Sequence, residues 1–252
     1  MNILITNDDG IDSLGIRLLA KIIEEEHKVI VAAPHAERSA CGHSITLNKP
    51  LTVKEEKLMG VFSKAYSIDG TPADCVRIGI EKLAKVKVDL IISGINRGYN
   101  LGVDVLYSGT VSAAVEGALY RIPSIAISTQ PGSKAEMEKY YQYAAKALKE
   151  IIKLLPLKGK INLYNINVPG IQEEYIKGTV VCPLANQLYS NVFTELDEAK
   201  ELYNLTGSVI DLGPTDRDIH YIEEGYITIT PIKYDLTDYA SLDKLRAIFN
   251  DK

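Results

Sequence analysis

Short apolar runs alternate with stretches in which apolar residues recur every three or four positions, and this alternation predicts the elements of the chain. Ile3-Leu4-Ile5 heads a strand that begins at residue 2, and Leu14, Leu18, Leu19, Ile22 and Ile23 follow at helical spacing. Lys28 to Ala33 is a second strand stopped by Pro34, so a β-α-β unit is complete by residue 33. Ile45 to Val53 and Val61 to Ile68 read as shorter strands, interrupted by Pro50 and Gly60 in a way that suits an edge ribbon. At Thr71-Pro72-Ala73-Asp74 a capping Thr, a Pro at the first helical position and an acid announce a helix carrying Val76, Ile80 and Leu83. Val88 to Ile92 predicts a strand, Val111 to Tyr120 a helix and Ser124 to Ser128 a strand. Lys134 to Leu155 then reads as a long helix with a Lys/Glu face, and Ile161 to Ile166 as one more strand. Strands apolar on both faces, alternating with helices, predict an α/β fold with a doubly wound, mostly parallel sheet.

After Pro169 the pattern changes. Tyr becomes common, helical periodicity is absent until about residue 240, and Tyr226-Ile227-Thr228-Ile229-Thr230 alternates as a strand. The expected organisation is an α/β body over residues 1–169 and a C-terminal β-rich arm with a final helix over 170–252. That helix places Leu242, Leu245 and Ile248 on one face. With no place evident for strand and helix in the completed body, the arm is expected to make an oligomer.

Composition narrows the function classes. The 252 residues are 46% hydrophobic, enough for a sizeable core, and the net charge of −5 argues against binding a nucleic-acid polymer. No apolar run is long enough to cross a bilayer and no leader precedes the first strand, so the expected location is the cytoplasm, away from membranes. Cys41, Cys75 and Cys182 show no metal-ligand or redox spacing.

The chemistry concentrates at strand ends. Asn7-Asp8-Asp9-Gly10 delivers two adjacent carboxylates into a turn between strand and helix. Two such charges about 4 Å apart repel by roughly 4 kcal/mol at an effective dielectric near 20, which a proton or a cation must relieve. Residues 7–10, 35–43 and 94–110 each follow a predicted parallel strand, so they should meet on one rim of the sheet, where open α/β sheets bind ligands. Asp8, Asp9, Ser39 and Asn96 stand on that rim and offer only oxygen, which selects a hard cation such as Mg²⁺ or Mn²⁺. Ser108-Gly109-Thr110 opens a helix and presents free N–H groups to phosphate, although Thr110 taken by itself reads as only an N-cap. His43 and Asp104 are candidates for acid or base, each with a structural role as the alternative, and Arg38 and Arg97 either balance phosphate charge or face solvent.

Five segments, ILITNDDGI (3–11), VAAPHAERSACGHSIT (31–46), DGTPADCV (69–76), SGINRGYNLGVDVLYSGTVSAAVEG (93–117) and EGYITITPI (224–232), resemble the survival protein SurE family of metal-dependent 5'/3'-nucleotidases in order and spacing. The resemblance implies a Rossmann-like αβα fold and one divalent cation per subunit, held by Asp8, Asp9, Ser39 and Asn96. It also implies hydrolysis of nucleoside monophosphates, and a homodimer or homotetramer that exchanges C-terminal elements. Residues 182–214 depart from the Arg- and aromatic-rich pattern of that family. The expectation is therefore a phosphomonoesterase acting through metal-activated water, with Asp8, Asp9, Asn96 and Asp104 as its catalytic residues. Two rivals are a phosphatase with Asp8 or Asp9 as covalent nucleophile and a non-catalytic nucleotide- or metal-sensing module.

Overall fold

The computed structural model describes the chain except residues 131, 132, 134, 135, 158–161, 191, 192, 198–201, 212 and 250–252. Its first half runs β1 (Asn2–Thr6), α1 (Leu14–Ile23), β2 (Lys28–Pro34), β3 (Val53–Glu56), β4 (Lys64–Ile68), α2 (Pro72–Ile78) and β5 (Leu90–Arg97). There follow α3 (Gly109–Leu119), β6 (Ser124–Thr129), α4 (Met137–Leu154), β7 (Leu163–Val168) and β8 (Gly178–Val181). Four short strands come next, β9 (Leu188–Ser190), β10 (Phe193–Asp197), β11 (Leu202–Leu205) and β12 (Ser208–Asp211), then α5 (Asp218–Glu223), β13 (Tyr226–Pro231) and α6 (Tyr239–Phe249). The expected starts of α4 at Lys134 and of β7 at Ile161 lie outside the described residues.

Nine strands form the main sheet in the order β3-β4-β2-β1-β5-β6-β7-β13-β8. From β4 to β7 all neighbours are parallel, while β3 and β13 run antiparallel to β4 and β7. Alternation along each strand sends side chains to opposite faces. On one face, Ile3 and Ile5 join a core with Leu19 of α1 and Leu148 of α4. On the other, Leu4 and Ile91 pack with Val76 of α2 and Ala113 of α3. The sheet is thus the middle layer of three, as expected. Strand order reverses between β1 and β5, and the ends of these two strands carry Asp8, Asp9 and Asn96.

The local signals account for the helix starts. Ser13 caps α1 by accepting the Ile16 N–H, and α2 opens with a capping box in which Thr71 and Asp74 satisfy each other's backbone amides. Ser108 caps α3 through the Val111 N–H, so that helix begins two residues before the expected Val111.

Four expectations are corrected. The segment from Ile45 to Thr52 is no strand, because Thr46 gives its N–H and hydroxyl to the Asp74 carboxylate instead of to a ladder. Residues 61–63 precede β4 rather than belong to it, with the Phe62 and Ser63 amides taken by Glu24. A helix missed in the sequence, α5, interrupts the arm before residue 240. Finally, β13 does have a place in the body, inserted between β7 and β8 with Ile227 to Thr230 all buried. Among the described residues, only β9/β12 and β10/β11, as two separate two-stranded ribbons, stand apart from the main sheet.

Close approach of α1 to β5 sets the register of the site. A Cβ on Gly15 would sit 2.1 Å from the Ile95 carbonyl oxygen, at the irregularity between Ser93 and Asn96 where β5 leaves its regular pairing with β6. Gly15→Ala is therefore expected to destabilise the protein by about 1–3 kcal/mol through overpacking against backbone. Urea unfolding measures this, and an unchanged midpoint would contradict the contact.

Candidate active site

At the carboxyl ends of β1 and β5 lies a cleft of about 280 Å³ whose wall includes Asp8, Ser39, Asn96, Arg97, Asp104 and Ser108. The three polar loops that the sequence places on one rim do meet there. Asp8 is buried, and its carboxylate Oδ1 accepts a hydrogen bond from the Thr110 hydroxyl. The helix behind it is pressed close, since a Cβ on Gly109 would lie 2.8 Å from the Asp8 Cβ and 3.1 Å from the Cys41 Sγ. Of the triplet 108–110, Ser108 lines the cleft, whereas Gly109 and Thr110 back onto Asp8.

Asp9 accepts the Arg97 N–H at 3.0 Å, which ties the loop after β1 to the end of β5. Asn96 donates its amide to the Gly98 carbonyl at 2.9 Å and keeps its side-chain oxygen for other contacts. Ser39 is held by Glu37, to which its hydroxyl donates at 2.6 Å. The loop bearing Ser39 is fastened to the acidic turn, because the Arg38 N–H donates to the Asp8 carbonyl at 2.7 Å.

Neither Asp8 nor Asp9 has an ion-pair partner among the described residues. Burial pushes the Asp8 carboxyl above the usual range, against the Thr110 hydroxyl bond that lowers it. Burial, and then the neighbouring Asp8 charge, push Asp9 up to about 6. Two desolvated carboxylates beside an amide oxygen and a hydroxyl make an oxygen-only donor set with a deficit of positive charge, the chemistry a hard divalent cation matches.

The remaining candidates separate. Asp104 lies in a 3₁₀ turn over Gly102–Leu106, and its carboxylate accepts the Tyr189 hydroxyl. His43 does not face the cleft; its Nε2 lies 2.8 Å from the buried Glu116, which Arg77 also approaches at 3.6 Å. Arg38 turns to Asp69 at 3.4 Å, while Arg97 stays on the cleft wall.

Sequence reasoning missed the polar groups beneath the cleft. Asn100 gives its N–H to Asn167 and its amide to Ser128, and its carbonyl accepts from both Asn165 and Asn167. Asn at two positions of an otherwise apolar strand, against its low β-propensity, was the available signal.

Fold and site together define a Rossmann-like α/β protein with an acidic, oxygen-lined cleft at its switch point. Residues 3–191 match the sequence model of the family described as survival protein SurE. Over 252 residues the chain is 45% identical to the 5'-nucleotidase SurE of Clostridium botulinum (strain Eklund 17B / Type B), covering 99% of this chain and 100% of the relative. It is 44% identical over 257 residues to the 5'-nucleotidase SurE of Clostridium beijerinckii, covering 99% of each. The crystal structure of the SurE protein from Aquifex aeolicus superposes with a TM-score of 0.82 at 32% identity, covering 98% of this chain and 99% of the other. This chain belongs to the survival protein SurE family.

The raised pKa of Asp9 has a measurable consequence. A carboxyl that titrates at about 4 unfolded and about 6 folded binds more protons in the native state between those values, so its charge costs stability as pH rises through the window. Asp9→Asn removes that cost. In EDTA, the stability of Asp9→Asn relative to the parent should therefore rise from about pH 4 and level off above about pH 7. Chemical unfolding across pH reads the difference, and a flat difference would show that Asp9 carries no such burden.

Proposed function

We propose that this protein is a divalent-metal-dependent phosphomonoesterase that hydrolyses nucleoside 5'- or 3'-monophosphates to nucleoside and phosphate. The observation that carries the reading is the Asp8–Asp9 pair, desolvated, with no ion-pair partner among the described residues, and set beside the first turn of α3. Asp8, Asp9, Ser39 and Asn96 would hold one Mg²⁺ or Mn²⁺ per subunit. That ion, when bound, supplies positive charge to the phosphoryl oxygens and an acidified water.

The chain's own residues do the rest. Ser108 on the cleft wall, with the positive end of the α3 dipole behind it, receives the phosphate. Thr110 fixes Asp8, and the Arg97 N–H fixes Asp9. As the water oxygen bonds to phosphorus and the ester P–O bond breaks, Asp104 takes the water proton and returns it to the departing alkoxide oxygen. No helix among the described residues is long and apolar enough to cross a membrane. With the net charge of −5, this supports a cytoplasmic enzyme acting on small nucleotides rather than on nucleic-acid polymers.

Residues 170–252 are the proposed oligomerisation region, though within them β8 and β13 complete the sheet. The surfaces that support assembly are the two ribbons, with Phe193 65% and Leu205 69% exposed, and α6, which buries no residue and exposes Ile248 and Phe249. A symmetric homodimer, or a tetramer built from two, would cover them.

The test is phosphate release from a panel of nucleoside monophosphates with Mg²⁺, Mn²⁺ or EDTA. Release should require the cation. Asp8→Asn and Asp9→Asn should each lower it by more than about 100-fold, beyond the 10–100-fold typical of groups that only support a metal ligand. No release from any nucleotide would favour a non-catalytic nucleotide- or metal-sensing module. Light scattering should give at least twice the 27.8 kDa of one chain, and a monodisperse monomer at micromolar concentration would remove the assembly claim.

A further inference from the structure

Three side chains from the C-terminal third converge on the loop that carries Asp104. Asp218, buried at the start of α5, accepts the Gly102 N–H at 2.9 Å through one oxygen and the Ala185 N–H at 2.7 Å through the other. Gln187, only 2% exposed, accepts the Val103 N–H at 3.1 Å and donates to the Leu101 carbonyl at 3.2 Å. Gly102 makes room for this clamp, since its φ of +51° suits glycine and a Cβ there would lie 1.8 Å from the Gln187 Oε1. These two clamps hold the main chain of the loop.

Tyr189, in the middle of β9, does something different. Its hydroxyl sits astride the Asp104 carboxylate, 2.7 Å from Oδ1 and 2.9 Å from Oδ2, and accepts from the Gln187 amide at 3.4 Å. Among the described residues it is the only hydrogen-bond partner of that carboxylate. Since the clamps already fix the backbone, the Tyr189 bond is superfluous for anchoring the arm. What it adds is the orientation of a carboxylate on the cleft wall, which otherwise samples several staggered rotamers.

We propose that Tyr189 is a positioning residue of the active site, holding Asp104 in the orientation from which it exchanges a proton with water and leaving oxygen. The ribbon β9/β12 then completes the site as well as projecting from the body. This inference rests on the phosphomonoesterase reading of the cleft, in which Asp104 carries the proton.

The experiment uses the full-length protein with saturating Mn²⁺ and the best nucleoside monophosphate of the panel. Tyr189→Phe keeps the ring and should melt close to the parent. It should lower kcat by about tenfold, a fraction of the 10²–10⁴ that a general base supplies, with KM within about twofold. Adding it to Asp104→Ala should cause no further loss, because both changes act through one group. Tyr203→Phe, on the neighbouring ribbon, should leave kcat and KM as in the parent. An unchanged kcat, a loss confined to KM, or losses that add in the double variant would overturn the proposal. If the parent releases no phosphate, the nucleotidase reading falls, and the carbon-13 NMR shift of the Asp104 side-chain carboxyl decides the contact. A shift that moves in Tyr189→Phe but not in Tyr203→Phe upholds the positioning role, and a shift unchanged in both overturns it.

Discussion

A buried carboxylate and a half-buried one side by side, with no ion-pair partner among the described residues, are the constraint on which the architecture of this protein turns. Asp8 and Asp9 leave β1 at the point where strand order reverses, so no neighbouring strand end crowds the space in front of them. Everything around them is built to hold negative charge in place rather than to neutralise it. The Thr110 hydroxyl and the Arg97 amide each take one carboxylate, and the Arg38 amide takes the Asp8 carbonyl. Hydrogen bonds of this kind favour the ionised form, yet burial outweighs them and both groups are raised. Under the proposed function, this surplus of negative charge is what would recruit the cation.

A second polar layer lies directly under the cleft. Asn100, Asn165, Asn167 and Ser128 form a buried network that secures the long turn after β5 to the ends of β6 and β7. Buried amides are costly unless bonded, and all four bonds of this set run to Asn100, leaving the Asn165 Oδ1 without a partner among the described residues. The turn is thereby fixed from below by the sheet and from above by Asp218 and Gln187. A loop of that length, rich in glycine, becomes a rigid wall between two sets of side-chain bonds.

The C-terminal third therefore serves two ends. Its strands β8 and β13 finish the sheet, and Thr230 of β13 donates to the Cys182 carbonyl just beyond β8. Its ribbons and α6 expose apolar side chains, the surface proposed for assembly, while Tyr189 of a ribbon reaches back to Asp104 on the cleft wall. Assembly and catalysis would then share a structural base, with β9 as the common element.

Much of this was legible in the chain because it is local. Strand and helix alternation, the Thr71 cap and the carboxylates at a strand end are properties of a few neighbouring residues that the sequence displays directly, whereas the caps at Ser13 and Ser108 emerge only in the structure. The meeting of residues 7–10, 35–43 and 94–110 also followed, since parallel strands put their carboxyl ends on one rim. The place of β13 did not. Its alternating Ile and Thr read as a half-buried strand, but Thr228 and Thr230 are buried too, and a period-two pattern cannot say whether its polar face meets water or another element. Nor could the sequence join Tyr189 to Asp104 or Asp218 to Gly102, pairs 85 and 116 positions apart that no pattern links. Periodicity tells which side of an element is covered; only packing of the whole chain decides what covers it, and hence which distant side chains come to hold the active-site loop.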